Sequence, residues 1–168
     1  MANGFVVNSH RKEPYKNFKF QLIWDNKVVM GISKVSSLKR TTEVVKHRDG
    51  ANNSYDIKSP GRTSYEGITI ERGITHDLDF ANWAAAIHTY ESDSLMDLAG
   101  YKKELILEVQ NEKGQTAFRY LLHGCWVSDY TAMPDLDANA NAVAIESMKI
   151  ELDGWERDSD TTEPDEAA

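Results

Sequence analysis

The chain has 168 residues, 40% hydrophobic and 10% aromatic, with a formal net charge of −8. At this size a single domain buries roughly two thirds of the unfolded surface, so one core is expected. No run approaches the roughly 20 apolar residues of a membrane-spanning helix, and "MANGFVVNSHRKEPYK" has no apolar core of a signal peptide, so synthesis in the cytoplasm is expected.

The charge is unevenly spread. Residues 153–168 hold seven acidic residues and one Arg, a balance of −6, so the remaining body is only −2. Residues 1–16 read as an N-terminal arm, 17–155 as one domain, and 156–168 as an acidic, disordered tail. From Lys39 to Arg62 the balance reverses, with Lys39, Arg40, Lys46, Arg48, Lys58 and Arg62 against Glu43, Asp49 and Asp56. The lone Cys125 has no internal disulfide partner, and no spacing of the zinc-site kind occurs.

In chain order, "NFKFQLIW" alternates Phe18, Phe20, Leu22 and Trp24 against Lys19, Gln21 and Ile23, the period of a strand with one buried face. Asp25-Asn26 offers a tight turn, and "KVVMGISKV" returns as a second strand with a bulge at Gly31. Residues 40–62 carry Gly50, Asn52, Asn53, Pro60 and Gly61 and predict a long polar excursion, with strand pieces only at Thr42–Lys46 and Tyr55–Lys58. "YEGITIERG" is a further strand. A helix over about 79–90 follows from Phe80, Trp83, Ala84 and Ile87, with Asp79 as its N-cap and Asp77 favoured by the helix dipole. "KKELILEVQ" and "TAFRYLLHGCWVSDY" form a hairpin around "NEKGQ", with Phe118, Tyr120, Leu122 and Trp126 on one face. In "VAIESMKIEL" the apolar phase changes, which predicts a bulge near Glu146-Ser147 or two buried faces.

Three clusters invite a chemical reading. His76-Asp77-Leu78-Asp79 suggests a metal or acid/base site, but helix capping accounts for both aspartates. His123 and Cys125 share a strand face on a strict period of two and suggest a thiolate–imidazole pair; a small buried cysteine is the simpler account. His47-Arg48-Asp49 suggests an anion site or a solvated charge run. There is no phosphate-binding glycine loop, nucleophile elbow or HExxH, so neither an enzyme nor a cofactor is indicated. An unclosed antiparallel sheet leaves edges that a symmetric oligomer would cover.

The ordered set "NFKFQLIW", "VSSL", "KHRDG", "KSPG", "ITIERG" with a Trp-bearing helix, and "PDLDANANAVAIESMKIELDG" resembles the tail-tube protein family of contractile-tailed phages and related contractile injection systems, over about Asn17 to Trp155. Ser37, Ser59 and the acidic extension depart from the family pattern. The resemblance implies a mainly β antiparallel sandwich or barrel with one flanking helix. It implies hexameric rings, stacked as a rigid tube inside a sheath, in a phage tail or injection particle. The implied partners are further copies of the chain, the sheath, baseplate and tube-initiator proteins, a tape-measure protein, and DNA or effector cargo; a target membrane is met only on contraction. Within this frame, Lys46, His47, Arg48, Asp49, Gly50, Asn52, Asn53, Lys58 and Arg62 are expected to stack one ring on the next. Glu104, Glu108 and Gln110, opposite the apolar face of their strand, are expected to line the lumen. The alternative is a monomeric β-barrel binding a small ligand or carbohydrate through Trp24, Trp126 and tyrosines.

Overall fold

The computed structural model describes residue 11, residues 13–51 and residues 54–167. The elements are β1 (Phe20–Trp24), β2 (Lys27–Val29), β3 (Ile32–Val35), β4 (Arg40–His47), β5 (Ile57–Tyr65), β6 (Ile68–Gly73), α1 (Asp79–Ala85), β7 (Lys103–Gln110), β8 (Thr116–Thr131), β9 (Ile145–Glu151) and β10 (Gly154–Arg157), with a 3-10 turn at Asp93–Leu95. All ladders are antiparallel.

β8 organises the architecture because it belongs to two sheets. Its first half pairs with β7 and β10, giving a first sheet β2-β1-β7-β8-β10; its second half pairs with β9, giving a second sheet β8-β9-β6-β3. The sheets enclose Leu22, Leu105, Leu122, Ile70, Met148 and Ile150, and α1 adds Phe80 and Trp83 beside Trp24. β2 and β3 stay as edges, so the barrel is open.

The bend in β8 falls at Gly124, whose φ is 62°. This inserts one residue into the alternation, and the ladder with β7 slips between Lys103 and Leu105. Leu122 and Cys125 therefore both face the core, whereas His123 turns outward and Trp126 lies half-buried outside it. The expected face of Phe118, Tyr120, Leu122 and Trp126 breaks at Trp126, and His123 and Cys125 are no pair. Burial pushes the Cys125 thiol up to about 12.

Four further expectations need correction. The Asp25-Asn26 turn forms with φ of 49° and 59°, but the run after it is two strands, not one. β2 pairs with β1 and β3 with β6, the chain changing sheets at Gly31, φ 78°. β9 keeps an unbroken register with β6 through Glu146 and Ser147. The phase change is absorbed instead by putting Glu146 inside and leaving Val143 out. The helix stops at Ala85; Ile87 still packs on the core from irregular backbone, and Ala86 O accepts from Asp97 N at 2.8 Å. The helix's N-cap position is Leu78, and Asp79 is its first residue. Asp77 Oδ1 accepts from Asp79 N at 3.0 Å, so the capping carboxylate belongs to Asp77.

Candidate assembly surfaces

Residues 40–62 are not an irregular loop. β4 and β5 form a separate two-stranded sheet, and "KSPGR" lies within β5. Every residue of β4 is exposed, as is every residue of β5 except Tyr65. A hairpin that buries neither face is marginal alone. Its pairings explain what holds it: Thr42 and Thr63 hydroxyls meet at 2.8 Å, and a Cβ on Gly61 would lie 3.0 Å from Val45 Cγ2. At the base Glu66 N donates to Lys39 O at 3.0 Å, and Tyr65 packs edge-on against Trp155 with centroids 5.9 Å apart.

The hairpin surface is basic and apolar together. Lys46 lies directly opposite Lys58, and His47 opposite Ile57. Like charges facing across a ladder repel, and among the described residues neither lysine has an anionic partner. Val44 and Val45, successive residues on opposite faces, are 59% and 49% exposed. Arg48, Asp49 and Gly50 form the tip, where Ala51 N donates to Asp49 Oδ1 at 3.2 Å, and Arg62 is exposed in β5. Asn52 and Asn53 fall outside the described residues.

The outer face of the first sheet carries the residues expected at the lumen. Glu108 is buried, accepting from Gln21 Nε2 at 2.5 Å and Arg119 Nε at 2.8 Å. Burial raises its pKa, and the Gln21 and Arg119 bonds outweigh that, leaving a lowered carboxyl. It is a neutralised strut, not a free lumen charge. Glu104 is exposed and bound to His123 Nδ1 at 2.6 Å, while Glu156 binds His123 Nε2 at 3.1 Å. The imidazole pKa is raised, chiefly by its Glu104 bond and then by Glu156. Gln110 is half-buried beside the N-terminal segment, its N donating to Lys19 O at 2.9 Å. Trp24 is buried in the core, which removes it from any carbohydrate-stacking surface.

A family model described as T4-like virus tail tube protein gp19 matches residues 16–156. The chain belongs to this tail-tube family. It is a structural tube subunit. The fold agrees with solved structures of contractile injection machinery. The chain is similar to a chain in the extended sheath-tube complex of an extracellular contractile injection system, PVC, with 18% identity, TM-score 0.74, and 91% of this chain and 99% of that one covered. It is similar to a chain of the anti-feeding prophage tube-terminating cap at 19% identity and TM-score 0.73, covering 90% and 95%. A chain of the anti-feeding prophage baseplate gives 19%, 0.71, 88% and 97%. Comparison with curated protein sequences finds no match.

Two features of this tube subunit escape sequence reasoning. The first is Arg72, 1% exposed, which donates to Glu146 Oε1 at 2.6 Å, Asp77 Oδ2 at 3.2 Å and Asp77 O at 3.0 Å, and lies 3.9 Å over the Phe80 ring. Asp77 thus caps the helix and ties its start to the second sheet; its carboxyl is lowered first by the Asp79 amide and then by Arg72. The second is the tail. Glu156 and Arg157 belong to β10, Asp158 N donates to Arg119 O at 2.9 Å, and Glu166 accepts from Arg11 Nη1 at 3.1 Å. Lys113 also donates to Glu166 O, so the described tail runs as a strap to the Asn111–Gln115 turn, not a disordered end. The only sequence signal is Trp155, too apolar for a solvated segment.

Proposed function

We propose that the chain forms hexameric rings that stack into the inner tube of a contractile phage tail or injection particle, with the β4–β5 hairpin making the ring-to-ring contact. One observation carries the stacking role: a whole two-stranded sheet leaves both faces, two opposed lysines and two valines unpartnered in the isolated subunit. The open edges β2 and β3 suit lateral pairing between subunits of a ring. Sheath, baseplate, tube-initiator and tape-measure proteins are the further partners, with DNA or effector protein as cargo. Assembly places the mature subunit in the particle's tail, and its role is mechanical rather than enzymatic. Glu104 and Gln110 face the lumen, where the cations of the same face, His123 and Arg119, are held in ion pairs with Glu104 and Glu108.

Negative-stain microscopy of the purified chain, beside its mass by light scattering, tests this reading. Rings or tubes are expected; a monomer at all concentrations that binds an oligosaccharide contradicts it.

A further inference from the structure

The second sheet displays different chemistry at its two ends. β6 runs from Ile68, opposite Ile150, to Gly73, opposite Ile145, a length of about 20 Å. The hairpin joins at the first end, through Glu66 and Lys39. At the other end Ile74 N donates to Ala144 O at 3.1 Å, joining the helix start to the 132–144 segment that links β8 and β9. Segments 74–79 and 132–144 contain Asp77, Asp79, Asp135 and Asp137 and no Lys or Arg. They also expose Leu78 at 63%, Leu136 at 77% and Val143 at 79%. Between Pro134 and Val143 lies a hollow of about 180 Å³, room for an apolar side chain.

We propose that this acidic, apolar end is the surface that receives the β4–β5 hairpin of a second copy of the chain. The two surfaces match in both respects. The segment Lys39–Arg62 carries six basic residues against three acidic ones and exposes Val44, Val45 and Ile57. Their placement at opposite ends of one strand makes the contact head-to-tail, which propagates without closing on itself, as a stack requires. Complementary charge fixes the pairing and orientation, and the apolar groups supply buried area. The inference rests on the tube reading and adds the acceptor that reading lacks.

Asp137 Oδ1 accepts from Asn139 N at 2.9 Å and holds the turn, so Asp135 is the position to vary. The experiment compares the full chain with K46E/K58E, D135K and the triple variant, reading the protein concentration needed for tubes by microscopy and ring mass by light scattering. With ring mass unchanged, K46E/K58E and D135K should each raise that concentration about tenfold or more, and the triple variant should recover much of the loss. If D135K fails to fold, D135N should shift the concentration in the same direction by less. Wild-type tube formation by folded D135K or D135N, with K46E/K58E defective, would overturn the acceptor while leaving hairpin stacking in place. No recovery in the triple variant, or a hairpin that instead retains duplex DNA independently of Asp135, also overturns it. A wild-type chain that forms no tubes contradicts the tube reading and this inference together.

Discussion

Arg72 Nε donates to Glu146 Oε1 at 2.6 Å with side chains 1% and 6% exposed, an ion pair placed where two core residues would otherwise meet. Tyr130 completes it, its hydroxyl donating to Glu146 Oε2 at 2.8 Å; burial and then that bond push the phenol up to about 12. Arg72 keeps Asp77 as a second carboxylate partner if Glu146 is removed, whereas removing Arg72 leaves the buried Glu146 without its cation. Arg72→Met should therefore cost about 3–5 kcal/mol in urea unfolding, whereas the double change R72M/E146L should cost far less. Equal losses in both variants would show that packing, not charge pairing, dominates there.

The second prediction concerns helix capping. Asp77→Ala removes the acceptor for Asp79 N and one anchor of Arg72, whereas Asp79→Ala removes only a charge in the first turn. Thermal unfolding should show the larger loss in the Asp77 variant. The reverse order would restore Asp79 as the cap.

Gly124 has a φ of 62°, and a Cβ there would sit 2.1 Å from Asp153 Oδ2 and 3.2 Å from Asp153 Cβ. Gly124→Ala should cost about 1–3 kcal/mol. Adding Asp153→Ala should return the steric share and leave the backbone share. A neutral Gly124→Ala would mean that β8 turns without this bulge.

Much of the fold was legible because strand alternation and helix periodicity report burial directly. "NFKFQLIW", "ITIERG" and "KKELILEVQ" became strands with the expected apolar residues inward, except Phe18, which precedes β1 and is 58% exposed. Errors arose where one residue changed the count. Gly124 moved Cys125 into the core and Trp126 off the core face, and Gly31 sent one apolar run into two sheets. Arg72 and Glu146 were illegible because a charge in a strand reads as outward, and only pairing from distant positions makes it tolerable inside. Gly and Pro in 40–62 signalled a loop, yet an exposed edge hairpin tolerates both. The tail's composition signalled solvent, while its contacts come from Arg119, Lys113 and Arg11, which no local window contains.

His123 bridges two carboxylates, one from β7 and one from β10. Its folded pKa is raised above the ordinary value of about 6.5, so its contribution is fully present below about 6.5 and is lost as pH rises through the folded pKa. The urea midpoint of the wild type, compared with His123→Gln, should show an advantage near pH 6 that shrinks near pH 9. An advantage that grows with pH would contradict the bridge.

The most direct measurement of the account is an electron cryo-microscopy reconstruction of the assemblies formed by the purified chain. It should show hexameric rings stacked coaxially, the β4–β5 hairpin of each subunit buried between successive rings with Lys46 and Lys58 near carboxylates of the next copy. Hairpins projecting into solvent along a formed tube would contradict the stacking role, and a chain that never assembles beyond a monomer would contradict the central claim.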